Sequence, residues 1–151
     1  MDTNQLDYLA VWNRSKPLMT AKLNAIRDGL AGKTDLRLSE IIEGGDEEYR
    51  LSLDLLRADD LCVLCMDFTL LDAAVNGGEA GQIGVCLSVT GYAALALGGY
   101  TPYAYGRNAY TDDVHEIERR INDLDVAAFV HYIADEALKN DTLQQELAQA
   151  A

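Results

Sequence analysis

Apolar residues recur along this chain in two rhythms, and the order in which the rhythms alternate sets the expected architecture. Met19, Leu23, Ile26 and Leu30 stand at i, i+4, i+7 and i+11, one stripe of an α-helix. Ser15 is placed to cap that helix, Pro17 falls in its first turn, where a missing N–H costs little, and Gly29 and Gly32 mark its end. A shorter helix is expected before it, from about Asn4 to Asn13, with Leu6, Leu9 and Ala10 on one side.

The rhythm then changes to two. In RLSLDLL, beginning at Arg50, Leu51, Leu53 and Leu55 face one way while Arg50, Ser52 and Asp54 face the other. LCVLCMDF from Leu61 is apolar on both faces as far as Asp67, as a central strand would be, and the RADD tetrapeptide between the two runs reads as a hairpin loop. After NGGEAGQ, the run IGVCLSV sets Ile83, Val85, Leu87 and Val89 on one face. TGYA reads as a turn and ALAL from Ala94 as the returning strand, while DLRLSEII from Asp35 reads as a further strand, with helix as the competing assignment.

The period of 3.6 returns at Val114, Ile117, Ile121 and Leu124, where Asp113 and Glu116 fit a capping box. Asp125 can cap another helix that carries Val126, Phe129, Val130, Ile133 and Ala137, and Asp141 opens a short terminal one. The pattern therefore predicts a single α+β domain over residues 1–151. N-terminal helices span 1–33, an antiparallel meander of four to five strands spans 35–105, and C-terminal helices from 112 to 150 pack on one face.

Charge narrows the range of partners. Twenty-five acids against twelve bases give a formal net charge of -13, a field that repels nucleic acid and anionic membranes alike. Residues 1–37 hold six bases and four acids, so the excess acid belongs to the sheet and the C-terminal helices. Residues 80–106 carry no charge, yet Gly, Ser, Thr, Gln, Tyr and Pro interrupt them too often for a membrane span. The start MDTNQLDYLA lacks the basic and apolar regions of a secretory signal, and three cysteines make no disulfide framework, so a cytoplasmic location is expected.

The chemistry-bearing residues form no catalytic signature. Cys62 and Cys65 make a C-x-x-C, but residues three apart in a regular strand point to opposite faces, so two diverging structural thiols are expected. His115 and His131 fall opposite the apolar stripes of their helices, and the acidic runs lack calcium-loop spacing. The glycines make no phosphate cradle. No cofactor and no metal site is expected, and no stretch carries a motif set pointing to a particular family.

What remains is an acidic, tyrosine-bearing surface. Asp46, Glu47 and Glu48, then Asp59 and Asp60, then Asp112, Asp113 and Glu116 form acidic clusters, while Tyr100, Tyr103, Tyr105, Arg107 and Tyr110 fall in an otherwise uncharged stretch. Tyrosine suits interfaces, with one end packed and the other wet. The sequence-level expectation is a non-enzymatic binding module, an inhibitor or accessory factor that docks through these residues on a protein with a basic surface, in its sharpest version by mimicking nucleic acid. The alternatives are a small enzyme using carboxylates or histidine in a tyrosine-lined cleft, a secretion-chaperone or immunity-type protein, and a homo-oligomer joined through the aromatic edge.

Overall fold

The computed structural model describes residues 7–44, 49–76, 79–91, 103–105 and 110–149. Its first helix, α1, runs from Tyr8 to Leu30, capped by Asp7, whose carboxylate accepts from the N–H groups of Leu9 and Ala10. One helix thus replaces the two expected. Pro17 lies in its interior, and Ser15, expected as a cap, is fully buried. An interior proline costs about 3 kcal/mol, but Val11 and Trp12 anchor the helix before it and Met19, Leu23, Ile26 and Leu30 after it, so burial on both sides holds one axis. Leu9, assigned to the apolar side, is 56% exposed.

Six strands follow. β1 (Arg37–Leu38) and β2 (Ile42–Glu43) both pair with β3 (Arg50–Leu56), forming one interrupted edge, and the order continues through β4 (Cys62–Asp72) and β5 (Ile83–Gly91) to β6 (Tyr103–Tyr105), every pairing antiparallel. The meander is as the alternation predicts. The interruption lies at Ser39, whose hydroxyl accepts the Asp54 N–H at 2.9 Å. The expected ALAL strand lies outside the described residues, and the strand beside β5 is Tyr103–Tyr105.

The β3–β4 hairpin turns where RADD requires. Asp60 takes a left-handed conformation (φ 67°), Asp60 N donates to Arg57 O at 2.9 Å and Arg57 N donates to Leu61 O at 2.8 Å. Just beyond, the register slips: Leu55 faces Leu64 but Leu56 faces Cys62, which leaves Val63 as a bulge. Val63 and Leu64 are consequently both buried, and Cys62 falls on the same face as Cys65. The expectation that the two thiols diverge is thereby corrected.

Among the described residues, three helices follow the sheet. They are α2 (Val114–Asn122), α3 (Val126–Tyr132), which continues through a π-turn at Ile133–Ala137, and α4 (Asp141–Gln149). Asp113 caps α2 by accepting from His115 N, and Asp125 caps α3 by accepting from Ala128 N. The second half of the expected capping box is absent: Thr111 Oγ1 takes the Asp113 N–H, while Glu116 turns to Arg119 and Arg120. Lys22 ties α1 to the α2–α3 corner, donating to the carbonyls of Asn122 (2.8 Å) and Leu124 (3.1 Å).

All the helices cover one face of the sheet. Leu51, Leu53, Leu55, Leu64, Met66, Phe68, Ile83, Val85, Leu87 and Val89 join Met19, Leu23, Ile26, Ile117, Ile121 and Phe129 in one buried cluster. Helices α1 and α3 approach closely at Gly29, where an added Cβ would meet Val130 Cγ2 at 2.8 Å. Val130 is 3% exposed and cannot swing aside. Gly29→Ala is therefore expected to destabilise, the overpacking cost of about 1 to 3 kcal/mol outweighing the roughly 1 kcal/mol gained in helix propensity. Thermal melting checks this, and an unchanged or higher Tm would refute it.

Candidate functional site

The structure distributes the expected binding residues instead of gathering them. β3 separates Asp59 and Asp60, at its Leu56 end, from the end at which the chain enters it near Tyr49 and Arg50. Thr111 bridges to Ile83, the first residue of β5, and Ile83 pairs with Asp72, so Tyr110, Asp112 and Asp113 belong with that opposite end of the sheet. A seven-residue strand spans roughly 23 Å, so the two groups make no common patch. Asp46, Glu47, Glu48, Tyr100 and Arg107 lie outside the described residues. Tyr103 and Tyr105 form β6, opposite Val89 and Leu87.

Ion pairing sorts the carboxylates further. Arg57 donates from Nε and Nη2 to both oxygens of Asp59, at 2.9 and 2.5 Å, and this hydrogen bonding holds the Asp59 carboxyl down to about 2. Asp60 pairs with Arg37 across the hairpin base, and Glu116 is held between Arg119 and Arg120. Three of the expected contact residues therefore carry charge that is already met. The same holds for most of the cations: Arg14 meets Glu118, Lys16 meets Glu43 at 2.6 Å, Arg27 meets Glu40 and Lys139 meets Asp135.

The surplus acid sits on the helical layer. Between Asp112 and Asp141 there are nine carboxylates and three bases. Among the described residues, Asp112, Asp123, Glu136 and Asp141 are exposed and take part in no ion pair. Asp123 and Glu136 stand outside the set of contact residues expected from the sequence. One signal was available there: the i,i+4 pairs Glu116–Arg120 and Asp135–Lys139 are visible in the sequence, and subtracting them keeps Asp123 and Glu136 among the acids left over.

The nucleophiles and bases converge elsewhere, or nowhere. His115 and His131 are exposed, and His131 Nδ1 lies 2.6 Å from Asp135 Oδ2, one turn along the same helix. On the sheet face away from the helices, Ser52, Asp67 and Ser88 form one cross-strand row and Asp54, Cys65 and Thr90 the next. Ser52 Oγ donates to Asp67 Oδ1 at 2.5 Å, and the Cys65 thiol donates to the same oxygen at 3.4 Å. Burial first, then hydrogen bonds and repulsion from Asp54 and Asp67, push the Cys65 thiol far up, while burial and the same two charges push Cys62 up to about 11. Both shifts favour the protonated thiol, the weaker nucleophile. Among the described residues no three His, Cys, Asp or Glu side chains are arranged to hold a metal, and no helix is long and apolar enough to cross a membrane.

A cavity of about 430 Å³ opens at the hairpin end of the sheet. Thr34, Asp35 and Leu36 line it from the α1–β1 connection, Arg57 and Val63 from the hairpin base, and Leu138, Gln144 and Ala148 from the C-terminal helices. Neither histidine reaches it. No family model, no curated protein and no solved structure matches this chain.

Proposed function

We propose that this protein is a non-enzymatic binding module that docks on a basic surface of a partner protein through the carboxylates of its helical layer. In the sharpest form of this reading it is an inhibitor that fills a nucleic-acid cleft, with side-chain carboxylates standing where phosphates would. The observation that carries it is the ion-pair pattern. Arg14, Lys16, Arg27, Arg37, Arg57, Arg119, Arg120 and Lys139 are all matched with local carboxylates, while in the helical layer Asp112, Asp123, Glu136 and Asp141 are among the carboxylates that stand exposed outside any ion pair, on a chain of net charge -13. Pairs made within one surface fix side chains but add little outside it. Unpaired carboxylates in a field of one sign instead steer a basic partner and pair with it on contact.

The test starts with a protein retained from the native host on the immobilised chain and then purified. Its affinity is expected to fall steeply with salt, duplex DNA or RNA is expected to compete, and the double variant Asp112→Lys, Asp123→Lys should bind about tenfold or more weakly, a loss of about 1.4 kcal/mol or more. Both positions are exposed, so the variant should melt like the parent. Affinity that barely responds to salt between 50 and 500 mM, or a variant that binds as tightly as the parent, would overturn the reading.

A further inference from the structure

We propose that the cavity at the hairpin end takes an aliphatic chain with a cationic head, and that in the complex this is a lysine or arginine side chain of the basic partner; the inference rests on the docking reading above and names its anchor. At about 430 Å³ the cavity falls within the range of small-ligand sites. Its walls are held in place by their own packing. Val63 (1% exposed) is fixed by the strand bulge and Leu138 (9% exposed) by the end of the π-turn. Asn140 caps α4 by accepting from Leu143 N, and fully buried Leu143 pins the helix, so Gln144 and Ala148, one turn apart, are presented on one side. Gln144 is further tied back through its amide to the Leu138 carbonyl.

Two features choose the ligand. Leu36, Val63, Leu138 and Ala148 give an apolar wall, which suits a methylene stem. The polar rim favours a cation over an anion, although it contains Arg57, because that guanidinium already spends Nε and Nη2 on Asp59. Asp35 on the rim is exposed and has no ion-pair partner among the described residues, and the net charge of -13 opposes any anionic head. Lys33 adjoins this segment but lines none of the cavity. A methylene stem ending in a charge describes the side chains of lysine and arginine, which are the residues a basic partner offers.

The first arm of the test titrates the isolated protein with n-hexylguanidine, with its neutral counterpart n-hexylurea and with n-heptanoate, following backbone amide shifts. The guanidine is expected to perturb Leu36, Val63, Leu138 and Ala148 and to bind about fivefold or more tightly than the urea, with heptanoate weakest. Asp35→Asn should remove the advantage of the cation, and Ala148→Phe, which fills the mouth from an exposed position, should abolish binding of all three. Equal binding of the three heads, or shifts centred elsewhere, overturns the proposal. The second arm measures the purified partner: Ala148→Phe should weaken its binding about tenfold, and a partner indifferent to that change overturns the anchor while leaving salt-dependent docking through Asp112 and Asp123 intact. A partner whose binding is insensitive to salt or to the Asp112, Asp123 reversal overturns the docking reading itself, so the two failures are told apart.

Discussion

Phe68→Ala is expected to cost about 3 to 5 kcal/mol, a large part of the stability of a parent near the low end of the ordinary range of about 5 to 15 kcal/mol. Phe68 is fully buried at the middle of β4, the central strand, directly between Leu51 of β3 and Leu87 of β5. Its ring faces the layer that holds Met19, Leu23, Ile117 and Phe129, so both the sheet and the helices lose a common packing partner. The loss has two parts: the transfer free energy of the ring, and the cavity left behind when neighbours on two strands and three helices cannot all close in. Urea denaturation should show the midpoint falling with little change in slope. A loss below 1 kcal/mol would mean that the site collapses freely, and that the core is far looser than its burial shows. Phe68→Leu, which keeps most of the volume, should recover much of the loss.

The part of the fold that was legible in the sequence is the part in which one face is apolar and the other polar. RLSLDLL states its register outright, because a slip of one residue would exchange Leu51, Leu53 and Leu55 for Arg50, Ser52 and Asp54. LCVLCMDF contains no such information at its start: with Cys, Val and Leu in sequence, the bulge at Val63 changes no polarity, so the turn of Cys62 onto the Cys65 face is invisible until the register with β3 is seen. Pro17 misled for a different reason. Its local cost is real, but the decision belongs to Trp12 and Met19, whose burial in a core drawn from residues far along the chain cannot be read from helix propensity. The π-turn at Ile133–Ala137 has no compositional mark at all, since it only lets Ile133, Ala137 and Leu138 all reach the core.

The site was less legible than the fold because charge in a sequence does not say what it is paired with. Asp59 and Asp60 look like a free acidic cluster until the chain turns Arg57 and Arg37 against them. Asp113 and Asp125 serve as helix caps, a role the sequence does state. Asp123 and Glu136, unremarkable in sequence, gain their standing only because the bases near them are committed elsewhere.

Cys62 should be alkylated by iodoacetamide at pH 8 about 100-fold more slowly in the folded protein than in the unfolded chain, with Cys65 slower still, since only the thiolate reacts and its population falls tenfold for each unit by which the pKa rises. Cys62 goes from an ordinary value of 9.0 to about 11, chiefly by burial and then by Asp54 and Asp67, and Cys65 goes further, first by burial and then because its thiol also donates hydrogen bonds to these carboxylates. Peptide mapping after timed alkylation reads the two rates separately, and Asp67→Asn should speed both, because it removes a charge that opposes ionisation. The same shifts govern alkaline stability. A folded pKa above the unfolded one means that the folded chain keeps a proton the unfolded chain has released, so stability is level below about pH 9 and falls as pH rises toward 11 and beyond. Tyr8, pushed up to about 12 by burial and by its hydrogen bond to Asp72, adds a second loss that begins near pH 10. For Cys62 the loss amounts to about 1 to 2 kcal/mol once its partial exposure is allowed for. The double variant Cys62→Ser, Cys65→Ser, which has nothing to ionise there, should melt with a flatter profile between pH 9 and 11 than the parent. Parallel profiles, or native alkylation as fast as in denaturant, would mean that Asp54 and Asp67 do not hold these thiols in their protonated form.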